Sequence, residues 1–301
     1  MRMIKSVGIV LPVILALSFL SIPALKNTAW CGELQEIINA GKLRHLGIPY
    51  ANFIVNKKTG LDNELMQQFA AHIGVQYEFV ETSWHEALGD LTGKKVKPMG
   101  EDVAIVGKSP VRGDVIATGF TILPWRGKVV NFSTPTFPTG VWLISRADSS
   151  LQPISPTGDI SKDIEAVKRQ LKGKSVLGLK DSCLDPELYG LDQTGAIIKL
   201  FPSDRNLNEM IPAVMARMAD ATLMDVPVAL IALENWPGAI KVVGPISPLQ
   251  AMGCAFPKTS PDLLQAFNQF FQTYKSTGTY RRLVSKYYPS VFSYYPDFFK
   301  D

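Results

Sequence analysis

Arg126 closes the run Gly119-Phe-Thr-Ile-Leu-Pro-Trp-Arg126, and Asp225 follows the apolar stretch at residues 221–224. A guanidinium is a planar fork that grips a carboxylate through two parallel hydrogen bonds. Thr121, five residues earlier, adds a hydroxyl and a backbone N–H. On residue type alone, a surface ion pair is the commoner fate of an arginine. Asp225 falls at the carboxyl end of a strand, the edge at which open α/β sheets place ligands. With Pro227 in the first turn, it reads equally well as the cap of a helix over residues 226–233.

Motifs for catalysis are missing. The sequence has no G-x-S-x-G, no H-E-x-x-H and no complete P-loop, since Gly107-Lys-Ser109 lacks the upstream glycine. Of three histidines, His72 and His85 fall on solvated helix faces. No catalytic residue, metal or cofactor is therefore expected. Arg112-Gly-Asp114 and the sequon Asn131-Phe-Ser133 read as chance matches.

With 301 residues, 46% hydrophobic and 19% charged, the chain can bury one large core or two smaller ones. A basic start, Met1-Arg-Met-Ile-Lys5, precedes an uncharged apolar run at residues 6–25, which is the order of a secretory signal peptide. Cleavage after Cys31 is expected, which makes residues 1–31 a leader and the location periplasmic. An uncleaved membrane anchor is the alternative, because the run is long enough to span a bilayer. Without Arg2, Lys5 and Lys26, the 31 basic and 27 acidic side chains come close to balance, so no nucleic acid partner is expected. Cys183 and Cys254 remain, and an oxidising compartment permits them to pair.

The elements that must position these groups follow from periodicity. Leu61, Leu65, Phe69 and Ile73 lie four apart and predict an amphipathic helix over residues 61–73, with Asp62 as an acid of its first turn. Residues 43–47 and 75–80 read as flanking strands, giving a βαβ unit of a parallel sheet. A helix over 84–91 leads into a Gly/Pro/Lys-rich stretch, 92–101, read as solvated loop, and apolar runs at 103–106 and 115–118 follow. Strands at 129–132 and 141–145 precede a Pro/Ser/Gly-rich link at 148–159. A second α/β set has helices at 160–171, 186–189, 207–218 and 228–233 and strands at 175–179, 196–200, 221–224 and 240–243; residues 261–274 and 280–287 are helical.

At this level the chain resembles the family 3 extracellular solute-binding proteins, which include the amino-acid receptors of ABC importers. The resemblance spans roughly residues 41–288 and rests on segments in a fixed order. These are Gly60-Leu-Asp-Asn-Glu-Leu65 with Ile73-Gly-Val-Gln-Tyr-Glu-Phe79, and the run ending at Arg126 with Val130-Asn-Phe-Ser133. Leu171-Lys-Gly-Lys-Ser-Val176 with Asp181-Ser-Cys183, Ala219-Asp-Ala221 with Met224-Asp225, and Gly278-Thr-Tyr280 with Lys286-Tyr287 complete it. The resemblance implies an α/β, two-lobed, type II periplasmic-binding fold with two crossing hinge strands, near residues 141–146 and 252–257. The expected lobes are 32–143 with 254–290, and 144–253, leaving 291–301 as an aromatic tail.

The same resemblance implies the site. An α-amino acid carries a carboxylate and an ammonium on one carbon, so a cation, directed donors and an anion must converge. Arg126 and Thr121 would hold the carboxylate, with Ser182 at the N-terminus of the distal helix; Asp225 and the Gly119 carbonyl would take the ammonium. Tyr50 and Trp84 would cover the ligand. Asp181 and Leu123 depart from the family pattern, and the second leaves a carboxylate without an amine as a possible ligand. The implied partners are a small amino acid or related carboxylate and the permease of an ABC importer, with the receptor itself a monomer that catalyses nothing. The alternatives are a sensor or accessory ligand-binding module, such as the one within lytic transglycosylases, and a periplasmic dehydratase-type enzyme on the same fold. The insertion at 92–112 and the tail are read as surface loop and as packing against a lobe.

Overall fold

Two five-stranded sheets organise the computed structural model, which describes residues 33–202 and 205–300. The leader expected at residues 1–31 lies outside the described residues. In the first sheet the order is Gln76–Glu81, Lys42–Gly47, Val115–Ile116, Ala255–Pro257, Val130–Phe132. Its first three strands are parallel, and Ala255–Pro257 runs antiparallel to both neighbours. In the second the order is Ile197–Leu200, Ser175–Gly178, Ala221–Asp225, Val141–Arg146, Ile240–Pro245. Here Val141–Arg146 is the strand antiparallel to both of its neighbours.

The chain passes between the sheets twice, at a short antiparallel pair of Phe137–Thr139 with Gln250–Met252. Val141–Arg146 belongs wholly to the second sheet and Ala255–Pro257 to the first, so the first passage precedes the stretch expected from sequence, while the second meets its expected stretch at Met252. Strands of three residues carry too little periodicity to announce themselves.

The first amphipathic helix, Leu61–His72, buries Leu61, Leu65 and Phe69 completely. Phe69 meets Phe267 of the helix Pro261–Ser276 edge to face at 5.2 Å. Asp62, read from sequence as an acid of the first turn, is buried there, and its Oδ2 accepts a 2.6 Å hydrogen bond from the Gly119 N–H. The first helix is thereby tied to the loop that carries Thr121.

Four elements differ from expectation. Residues 92–101 are not loop: Lys94–Met99 pairs with Asp102–Lys108 as a hairpin turning at Gly100, φ 66°. Three lysines and Pro98 disguised its first strand, because such residues are depleted in sheets except at free edges, and both edges of this hairpin are free. The next helix is Ala87–Thr92, which leaves Trp84 in the preceding turn. Residues 186–189 form a 3₁₀ turn, Pro186–Tyr189, stopped by left-handed Gly190. The expected 207–218 helix splits into a 3₁₀ turn, Leu207–Glu209, and the short helix Met210–Met215.

The aromatic tail folds into the helix Val291–Tyr294 and the 3₁₀ turn Pro296–Phe299. It packs along the passage between the sheets. Phe299 stands edge-on to Phe137 at 5.9 Å, and Tyr294 edge-on to Trp142 at 5.8 Å.

Candidate ligand-binding site

Gly119 begins the loop that carries the cation. It adopts φ 61°, and a Cβ there would fall 2.6 Å from the Phe53 ring, so only glycine fits without displacing that ring. Phe120 follows and presents its face to the Arg126 guanidinium, whose Cζ lies 4.0 Å from the ring centroid. Arg126 sits in the single turn Pro124–Gly127, preceded by extended Leu123, whose apolar side chain provides no cap. Its Nη1 donates to the Thr121 carbonyl at 2.8 Å. Arg126 is 2% exposed, and burial pushes its pKa down, opposed by Cys183, Asp225 and Tyr189 nearby.

Asp225 ends a strand of the second sheet in which all five residues are buried, and it precedes the helix Val226–Asn235. Its side chain does not cap that helix. The Oδ2 atom instead accepts from the Tyr50 hydroxyl at 2.6 Å and from the Cys183 thiol at 3.3 Å. Tyr50 comes from the turn after the first strand of the first sheet, so this hydrogen bond ties one lobe to the other. Burial raises the Asp225 pKa to about 6, against the opposing pull of Tyr50, Cys183 and Arg126.

Tyr50 lies edge-on to Trp84 at 5.2 Å, and Trp84 stacks on Phe120 at 6.4 Å. Ser182 is buried, but the helix expected to begin there is absent. Its hydroxyl donates to the Leu179 carbonyl and accepts from the Leu184 N–H, while Asp185 caps the 3₁₀ turn. A tight turn with Asp181 at φ 61° has replaced the helix N-terminus, and with it the dipole expected to grip a carboxylate. Gly119 donates to Asp62, and its neighbour Phe120 accepts from the Gly253 N–H.

Tyr50, Trp84, Thr121, Arg126 and Asp225 thus come together, and Cys183, Tyr189, Gln250, Phe120 and Asp62 join them unannounced by sequence. Tyr189 donates to the Cys183 carbonyl at 2.5 Å, and the Gln250 amide reaches the Tyr189 hydroxyl at 3.5 Å. Four buried polar atoms in this cluster have no hydrogen-bond partner: Thr121 Oγ1, Arg126 Nε, Asp225 Oδ1 and Gln250 Oε1. Unsatisfied buried polar atoms are rare in folded proteins, and four of them fall in this one cluster.

A guanidinium from one lobe and a carboxylate from the other, beside two crossing strands, define a two-lobed α/β binding protein of the type II periplasmic class. The chain belongs to the bacterial extracellular solute-binding proteins, family 3, whose model matches residues 48–290.

Among curated relatives, the membrane-bound lytic murein transglycosylase F of Desulfosudis oleivorans is 27% identical over 264 residues, covering 86% of this chain. The chain spans only about half, 51%, of that enzyme's length. The L-cystine-binding protein TcyJ of Escherichia coli is 25% identical over 236 residues, covering 77% of this chain and 75% of TcyJ. Among solved structures, a mutant arginine-binding protein from T. maritima shares the fold with a TM-score of 0.67 and 24% identity, covering 85% of this chain and 99% of that one. An ancestral amino acid-binding protein, AncCDT-1, a precursor of cyclohexadienyl dehydratase, gives a TM-score of 0.65 at 27% identity, covering 86% and 100%. Binding proteins and enzymes thus both occur among its relatives. Among the described residues no helix is long and apolar enough to cross a membrane.

Proposed function

We propose that this chain is a periplasmic receptor that closes its two lobes on a small amino-acid-like zwitterion, hands it to the permease of an ABC importer and leaves it unchanged. The observation that carries this reading is the pair Arg126 and Asp225. Both are buried, each is the other's electrostatic neighbour, and they form no ion pair with one another. A buried charge without a partner is costly. A ligand bearing a carboxylate and an ammonium would meet both, with Thr121 Oγ1 and Arg126 Nε on the first and Asp225 Oδ1 on the second. Tyr50 and Trp84 would exclude water, strengthening those contacts. Ser182 would contribute through its turn, which delivers Cys183 to Asp225, rather than through a helix N-terminus.

A thermal-shift screen of residues 32–301 against amino acids and small carboxylates tests this. A selective rise that disappears in both Arg126→Ala and Asp225→Ala is expected; a rise surviving both changes refutes it. Product analysis by NMR after prolonged incubation should return the solute intact.

A further inference from the structure

The charges around the site limit the class of solute it can take, and this step rests on the reading of Arg126 and Asp225 as the binding pair. The fold shared with an arginine-binding protein suggests a cationic ligand. Six carboxylates are buried in the described residues, and five have other employment. Asp90 pairs with Arg112, Asp114 with Arg44 and Asp185 with Lys180. Asp163 accepts from Thr157, and Asp62 from the Gly119 N–H. Among these six carboxylates, Asp225 is the one that acts on Arg126, and Arg126 acts on it in return.

The second basic side chain that is buried, Arg146, bonds Asp148 and the carbonyls of Val214 and Ala219. The buried part of the site therefore offers one positive and one negative charge, both taken up by the α-carboxylate and α-ammonium of an amino acid. A third charge on the ligand side chain, of either sign, would be desolvated with nothing to answer it. Aromatic faces do not rescue a cation here. Phe120 gives its face to Arg126, Trp84 is stacked on Phe120 and meets Tyr50 edge to face, and Tyr50 lies stacked on Phe53 with its edge carrying the bond to Asp225. What does await a side chain is neutral: Gln250 on the crossing strand, whose Oε1 is buried and unpartnered beside Tyr189.

We infer that the site selects a net-neutral amino acid with a polar, uncharged side chain, and that Gln250 is the residue that reads that side chain. The test is calorimetric titration of residues 32–301 with L-glutamine, L-arginine and L-glutamate, run on the wild type and on Gln250→Glu. Glutamine is expected to bind at least tenfold more tightly than either charged amino acid. Gln250→Glu, with its melting temperature checked, should raise arginine affinity at least tenfold and weaken glutamine. Arginine or glutamate binding as tightly as glutamine, with that binding lost in Arg126→Ala, overturns the inference and leaves the receptor reading standing. Heat from none of the three, together with no thermal-shift rise from any amino acid, overturns both. An unchanged arginine affinity in a folded Gln250→Glu removes Gln250 from the assignment.

Discussion

Tyr50→Phe isolates the hydrogen bond between Tyr50 and Asp225, opposed site residues of the two lobes. The hydroxyl donates to Asp225 Oδ2 at 2.6 Å, with Tyr50 1% exposed and Asp225 fully buried. A hydrogen bond to a charged group contributes about 1.5–3 kcal/mol. Since 1.4 kcal/mol is a factor of ten, its loss should shift the solute-free balance from closed toward open by roughly 10- to 100-fold. The phenyl ring keeps its contacts with Phe53 and Trp84, so the core is spared. Small-angle scattering of the solute-free chain should show a larger radius of gyration in the variant. Saturating solute should bring the two proteins to the same value, because the ligand ammonium takes over Asp225. Identical solute-free radii would refute the claim that this bond holds the lobes together.

Other expectations follow from burial. Asp225 must be ionised to meet an ammonium, and its pKa is raised to about 6. Affinity for a zwitterionic solute should therefore be flat above that value and fall about tenfold per pH unit below it; Asp225→Asn should bind weakly with no such slope, which isothermal titration between pH 4.5 and 8 will show. Asp62, raised by burial to about 7, holds an extra proton in the folded state between its unfolded value near 4 and that pH. Its contribution to stability is thus greatest at low pH and is lost as pH rises through 7. Asp62→Asn should keep the bond from Gly119 and be more stable than the parent at pH 8, by up to about 4 kcal/mol, with the gain vanishing near pH 4 in urea melts. Leu65→Ala, at a fully buried position of the first helix, should cost about 2–5 kcal/mol in the same melts without changing solute selectivity.

The two α/β sets were legible because their helices and strands repeat apolar residues at the right period. Leu61, Leu65 and Phe69 face the core as their spacing demands, and the strand ending at Asp225 puts that carboxylate at the carboxyl end of a central strand. Arg126, Thr121 and Tyr50 were legible only through the order of segments around them, since nothing local separates a ligand-binding arginine from a surface one. What escaped was determined at long range. Asp62 looks like any first-turn acid until the fold brings Gly119 to it from 57 residues away. Cys183 and Gln250 acquire meaning only beside Asp225 and Tyr189. The helix expected after Ser182 failed for a local reason: Asp185 followed by Pro186 starts a turn, and Gly190 stops it within four residues.

The pairing of ligand charges with protein charges is tested most directly by deleting them on both sides. Calorimetry would compare an amino acid that binds with its primary amide, which lacks the carboxylate, and with its des-amino analogue, each against wild type, Arg126→Ala and Asp225→Ala. Arg126→Ala should be indifferent to loss of the ligand carboxylate, and Asp225→Ala to loss of the amine, because interacting groups couple and distant ones add. Fully additive losses in both series would mean that neither side chain touches the group assigned to it.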